Sequence, residues 1–303
     1  MIKRLLAVVP VVFGVVLLTF LLVHLVPGDP VEVMLGESSP MADRAKLRAE
    51  LGLDQPLPVQ FGQYLKALAQ GDFGRSIHTR KPIAQSLKER IPATASLALV
   101  SLLIAVMIGL PLGIVAALRA GRWPDSLATI LSLSLSAMPH FWLGPLLMLM
   151  FGLWLGLLPV SGMGNSLSIL LPAMTLGLGL AAILTRMTRA SLLEVLHEDF
   201  VRTARAKGIE EQQVILRHAL RAALLPIVTV LGLQLGGLLA GAVITETVFS
   251  WEGVGRLLVE SIEKRDYPVT QACVLVIALT YVMVNLMTDL LYSRLDPRIR
   301  FAK

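Results

Sequence analysis

Apolar positions along this chain fall into long uninterrupted runs, separated by short clusters that hold nearly all the charge. Residues 5–28 carry no formal charge over 24 positions, 91–118 over 28, 126–185 over 60, 222–245 over 24 and 267–288 over 22. About 20 helical residues cross roughly 30 Å of hydrocarbon, so four of these runs each predict one membrane-spanning helix. The 60-residue run would be about 90 Å long as a single helix at roughly 1.5 Å per residue. It must fold back, and Leu158-Pro159-Val160-Ser161-Gly162-Met163-Gly164-Asn165 supplies the turn chemistry. Two spans result there, for a total of six, and the pattern predicts an all-α membrane protein. The first run reads as a span and not as a signal peptide. Although Lys3 and Arg4 precede it, it is too long and ends in His24-Leu25-Val26-Pro27-Gly28-Asp29-Pro30 without a small-x-small cleavage site.

Composition agrees with the pattern: 55% of residues are hydrophobic, 16% are charged and the mean hydropathy is +0.73. Soluble domains carry about 25% charged residues, and the deficit here is concentrated in the runs. The single cysteine, Cys273, lies inside an apolar run, where it builds neither a disulfide nor a cysteine-rich metal site and reads as packing. Charge distribution orients the chain by the positive-inside rule. With the N-terminus cytosolic, the inner segments hold 15 of the 27 Lys and Arg residues, seven of them in 186–221. The outer connection 158–171 holds none and 246–266 holds three. Both termini are therefore expected in the cytosol. The excess positive charge belongs to the inner face and is not gathered on a soluble domain, which argues against a nucleic-acid partner.

Three regions follow: an N-terminal span at 1–27, an extramembrane segment at 28–90, and a core of five spans at 91–303. Residues 28–90 balance nine cations against eight anions, with helical patterning in Met41–Leu53 and Val59–Gln70, punctuated by Pro56-Leu57-Pro58 and Gly71-Asp72-Phe73-Gly74. This reads as a small outer cap that shields the mouth or docks an extracytoplasmic partner. The cytosolic segment 186–221 has amphipathic periodicity and points to a partner protein. Within it Gly208, after Arg202-Thr203-Ala204-Arg205-Ala206-Lys207, is expected to end a helix. In the fifth span Gly232, Gly236, Gly237 and Gly241 form overlapping small-xxx-small pairs suited to close helix contact. Polar side chains in a membrane are costly and face protein or water. Gln234, Asn285, Asp289 and His140, with Thr245 and Glu246, are thus the candidates for a translocation path; Asp289 also reads as an interfacial carboxylate, and His140 as a hydrogen-bonded structural histidine.

Several short motifs, in order, then resemble those of one family. Asp199-Phe200-Val201-Arg202-Thr203-Ala204-Arg205-Ala206-Lys207-Gly208, preceded by Glu198 and followed by His218-Ala219-Leu220-Arg221 and Leu225-Pro226, is similar to the cytoplasmic coupling motif of bacterial ABC-importer permeases. The resemblance is to their dipeptide, oligopeptide and nickel branch. It extends to Pro27-Gly28-Asp29-Pro30, Leu51-Gly52-Leu53-Asp54-Gln55-Pro56, Gly71-Asp72-Phe73-Gly74, Glu246 with Phe249-Ser250-Trp251-Glu252-Gly253-Val254-Gly255-Arg256, Arg265-Asp266-Tyr267-Pro268, and Asn285 with Asp296-Pro297-Arg298-Ile299-Arg300. The general importer pattern has Glu-Ala-Ala with Gly six residues after the Glu. Here Arg202, Thr203 and Ala204 take those places, and Leu220-Arg221 stands where that pattern ends in Leu-Pro. The resemblance implies a type I importer permease in the bacterial inner membrane, whose segment from Glu198 to Gly208 docks on a cytosolic ATPase. It also implies a second related permease, two ATPase subunits that carry ATP and magnesium, and an outer substrate-binding protein.

The chain contains no Gly-Lys pair, hence no phosphate-binding loop of its own, so it is expected to bind no cofactor directly and to catalyse nothing. An intramembrane metalloprotease lacks its second ligand, because Val201 stands where His197-Glu198 would need a histidine. Ser132, Ser134 and Ser136 near His140 make no distinctive nucleophile. A proton-coupled transporter built on Asp289 lacks a second intramembrane carboxylate. Short peptides, glutathione-like ones included, are the expected cargo. Nickel or a metal chelate is the alternative, with no His, Cys or carboxylate cluster at ligand spacing in the spans to hold a bare metal ion.

Overall fold

A computed structural model describes residues 2–25, 40–50 and 53–295. Among them the secondary structure is helical, apart from one isolated antiparallel bridge between Arg75 and Pro82. Helix α1 is Ile2–Leu25, α2 Met41–Glu50, α3 Leu57–Ala69, α4 Ile83–Leu118, α5 Trp123–Ala137 and α6 His140–Leu147, the last continuing as a π-helical stretch, Met148–Trp154. After a 3-10 turn, Ser166–Ile169, come α7 (Leu170–Leu196) and α8 (Asp199–Ala206). A single turn, Glu211–Gln213, and a π-helical run, Val214–Ala219, lead into α9 (Leu220–Val248), followed by α10 (Val254–Glu263) and α11 (Tyr267–Leu295). Four helices among the described residues are long and apolar enough to cross a membrane, or five if α5 and α6 with its π stretch count as one bent span. Val8–Leu21 within α1 is a shorter apolar helix. Pro27-Gly28-Asp29-Pro30, Leu51-Gly52 and Asp296 to Arg300 lie outside the described residues.

The third expected span is not a straight helix. It breaks at Met138 and Pro139, whose backbones are extended (ψ 123° and 138°). A residue before proline is pushed out of the α region by the proline ring, so Pro139 ends α5 one residue ahead of itself. Pro145 inside α6 removes another helical donor, and the π-helical Met148–Trp154 follows it. The expected turn at 158–165 is present, with Gly162 at φ +84°, and Gly156 just ahead of it stands at φ +61°.

The chain divides into two compact units, Met1–Thr94 with Glu252–Val282, and Ala95–Trp251 with Met283–Lys303. In the first, α1 packs on α3 through rings: Phe20 lies 5.2 Å from Phe61 and 5.8 Å from Tyr64, and Phe13 lies 5.9 Å from Phe61. A second apolar cluster joins Ile83 and Leu87 of α4 to Val254, Val269, Ala272 and Cys273, so the cysteine is indeed a packing residue. Asp266 knits the segment before α4 to the turn before α11. Its buried carboxylate accepts from the Ser76 hydroxyl at 2.5 Å and from the Ile77 N–H at 3.2 Å. Its carbonyl accepts from the Thr270 N–H and hydroxyl at 2.9 and 3.0 Å. Asp72 makes a local turn by accepting from the Gly74 N–H at 2.8 Å.

The second unit is organised around α7, whose Leu171, Ala173, Leu184 and Leu192 are fully buried. Glycines let α4 run against it. A Cβ at Gly113 would stand 2.5 Å from the Thr188 Cβ and 2.7 Å from the Thr185 carbonyl oxygen, and one at Gly109 2.8 Å from the Ala181 carbonyl oxygen. In lipid, where no hydrophobic drive brings helices together, such backbone proximity supplies the van der Waals contact that holds them. Gly113→Ala is therefore expected to lower stability by about 1–3 kcal/mol through overpacking. A drop in the thermal midpoint of the detergent-solubilised protein would register it, against no drop for Gly62→Ala, whose Cβ would meet nothing within 4 Å.

Candidate functional site

Helix α8 is short and fixed at both ends. Glu198 precedes it in extended conformation (φ −70°, ψ 148°), and Asp199 places an anion in the first turn, where the helix dipole favours it. The last turn ends at Lys207, and Gly208 follows at φ +73°, a left-handed position that glycine enters without strain, as its place in the sequence predicts. Val201 and Ala204, three residues apart, share one face. Val201 is fully buried and Ala204 nearly so, in a socket formed by Leu184 and Leu192 of α7, Val214, and Ala223 and Ile227 of α9. That arrangement hangs α8 directly on the two spans that flank it in sequence.

The other face is open. Phe200 is 44% exposed, and Arg202, Thr203, Ala206, Lys207 and Gly208 are exposed beside it. Arg205 folds back to Glu211 in a two-pronged pair, Nη2 to Oε1 at 2.7 Å and Nε to Oε2 at 3.1 Å, which raises the Arg205 pKa above its ordinary value. Arg202 and Asp199 stand 3.6 Å apart, so exposed that the pair adds little stability. The Thr203 hydroxyl is turned inward, donating to the Asp199 carbonyl at 2.9 Å.

The same unit forms a half-open cavity of about 350 Å³ between α5, α7 and α9. Helix α7 contributes Leu176, Gly179, Ile183 and Arg186, at spacings of three, four and three that keep them on one stripe. The polar side chains on the lining are Ser136, Arg186 and Gln234, one from each helix. Of the path candidates with described side chains, Gln234 alone lines this cavity. Thr245 and Glu246 are buried at the far end of α9, near Phe249, whose carbonyl accepts from the Gly162 N–H at 2.9 Å and whose ring packs on Leu143, Leu147 and Leu171. Asn285 is half-buried in α11, and the side chains of His140 and Asp289 lie outside the described residues. Gly232 does meet another span, since a Cβ there would overlap Thr288 of α11. Gly236 is buried, Gly237 opens on the cavity, and Gly241 is outside what can be described. Among the described residues no three His, Cys, Asp or Glu side chains stand together as a metal site.

Charge counting places Arg186 at the start of the cytosolic segment 186–221, because it ends an apolar run; its place on the α7 stripe also sets it on the cavity. A second pairing was also beyond sequence reasoning. Asp125, at the start of α5 with a 7% exposed side chain, accepts from Arg189 of α7 through both oxygens, at 2.5 Å from Nε and 2.8 Å from Nη2. It accepts from the Gly121 N–H at 2.9 Å as well.

Comparison with known proteins completes the picture. Residues 109–301 match the family described as binding-protein-dependent transport system inner membrane component, and residues 1–98 match the N-terminal part of the membrane components of such systems. The glutathione transport system permease protein GsiC of Pectobacterium atrosepticum is 46% identical over 300 residues, 99% of this chain and 98% of that protein. GsiC of Escherichia coli K12 is 45% identical over 300 residues with the same coverage. In fold the chain is similar to the MetNI methionine ABC transporter in an inward-facing conformation, with a TM-score of 0.60 at 17% identity over 70% of this chain and 97% of that one. It is also similar to an amino acid ABC transporter, with a TM-score of 0.54 at 15% identity over 69% and 94%. With both family descriptions matched along almost its whole length, the chain belongs to the binding-protein-dependent transport system inner membrane components and is a multi-pass permease of an ABC importer.

Proposed function

We propose that this chain moves short peptides, glutathione among them, inward across the bacterial inner membrane by alternating access, powered by ATP hydrolysed on partner subunits. The observation that carries the coupling is the build of α8: its buried pair Val201 and Ala204 fastens it to α7 and α9, while Phe200, Arg202 and Lys207 are left for a docked protein. Closure of two ATPase subunits, each with its own ATP and magnesium, pulls on that face. The rigid seat then passes the displacement to the two spans beside the cavity. A second, related permease completes the pathway, and an outer substrate-binding protein delivers the cargo. In this reading the chain spans the membrane six times with both termini in the cytosol, and is a transport subunit with no catalysis of its own. The peptide class is supported by the 45–46% identity to glutathione transport system permeases over nearly the full length.

The test is uptake. Proteoliposomes holding the assembly made with the products of neighbouring genes, supplied with its binding protein, are expected to accumulate labelled glutathione or dipeptide only when ATP is present at the ATPase face. Accumulation of nickel in place of peptide would keep the importer and replace the cargo. Accumulation driven by a proton gradient without ATP would overturn the reading.

A further inference from the structure

Arg186 and Arg189 stand three residues apart on α7, about 4.5 Å along its axis, yet their surroundings differ in kind. Arg189 is neutralised by the two-pronged bond to Asp125. Arg186 lines the cavity and has no hydrogen bond or ion pair to any described residue, nor has Gln234 across from it. The rest of the lining is leucine, isoleucine, methionine and glycine, apart from Ser136. Arg186 is half-buried at the cavity wall, a guanidinium without a carboxylate partner among the described residues, and its planar fork suits a carboxylate in a way few other groups match. At about 350 Å³ the cavity is at the small end of ligand sites, sized for a dipeptide or one arm of a tripeptide.

We infer that Arg186, with Gln234 and Ser136, forms a carboxylate-binding subsite in the cavity, which takes the free carboxyl end of the transported peptide. This rests on the peptide reading above. The guanidinium holds the carboxylate, while the Gln234 carboxamide and Ser136 hydroxyl, each able to donate or accept, meet the adjoining peptide group. Apolar walls of glycine and leucine leave the side chains unread, so the subsite selects the shared end of a peptide and tolerates variety elsewhere.

The test compares an acid with its ester on the complete permease and ATPase assembly in nanodiscs, without the binding protein, so that no other component sorts the ligand. Saturation-transfer difference NMR with glutathione and glutathione dimethyl ester is expected to show the acid binding about tenfold more tightly to the wild type. Arg186→Gln should remove that preference, and Arg186→Lys, which keeps the charge but not the fork, should retain only part of it in an assembly of the same composition. Failure of the wild type to prefer the acid, or the same preference in Arg186→Gln as in the wild type, overturns the subsite; the second result leaves Arg186 as a partner for lipid phosphate. The uptake assay decides the peptide reading separately. An assembly that imports peptide with ATP but fails the acid and ester comparison loses only the subsite, whereas one that imports no peptide loses both.

Discussion

Val201→Asp is expected to abolish ATP-driven uptake while leaving the spans in the membrane. Val201 is fully buried among leucines, isoleucine and valine, and an ionised carboxylate placed there without a partner costs several kcal/mol. The cheapest relief is for α8 to leave its socket. The ATPase-facing residues then hang on a loose segment that transmits no displacement. Uptake should fall below about a tenth of the wild-type rate, since each 1.4 kcal/mol is roughly a factor of ten. Trypsin should also cut more readily at Arg202, Arg205 and Lys207, which the seated helix protects by its hydrogen bonding. Phe200→Ala separates seat from surface. It removes an exposed ring, so α8 stays in place, but less ATPase subunit should co-purify. Wild-type uptake by Val201→Asp would mean that the seat of α8 carries no force.

The largest loss of stability should follow Arg189→Leu. The Asp125 side chain, only 7% exposed, would keep the Gly121 N–H but lose both guanidinium bonds. The Arg189 side chain is 34% exposed, so the loss falls below the roughly 3–5 kcal/mol of a fully buried pair, at about 2–3 kcal/mol, most of it the stranded charge. Replacing both partners, Asp125→Leu with Arg189→Leu, removes the stranded charge and should recover most of the deficit, a coupling that a double-mutant cycle on thermal midpoints in detergent measures directly. If the single and double variants melt together, the pair is a surface contact in practice.

Much of this architecture is legible in the sequence, for reasons that individual residues make plain. Charge-free runs locate helices because lipid leaves the backbone no other way to satisfy its hydrogen bonds. Gly208 ends α8 because a positive φ is strained for any residue with a Cβ. Cys273 packs because it lies in an apolar run that the fold buries against Ile83, Leu87, Val254, Val269 and Ala272. What stayed hidden depended on contacts far apart in sequence or on the facing of a single side chain. Asp125 finds Arg189 across 64 residues, and no local pattern announces that. Arg186 terminates a hydrophobic run, so charge counting puts it in the cytosolic segment, and only the helix that continues ten residues beyond it to Leu196 shows that it shares a stripe with the cavity residues. Pro139 is legible as a residue that pushes Met138 out of the α region, but a 60-residue charge-free run does not show that the helix resumes at once as α6 at His140.

The π-helical run Val214–Ala219 bears on how α9 should be compared with other sequences. Each π turn holds about one residue more than an α turn, and one residue is worth about 100° of rotation. Faces counted upstream of Val214 and carried through to Leu220 at α-helical spacing therefore arrive on the wrong side of the helix. An alignment that treats 211–248 as one uniform helix will pair Gln234 with residues that point elsewhere in any relative lacking the wide turn. Residue numbering alone is then a poor guide to which side chain faces the cavity, and the count has to restart at Leu220.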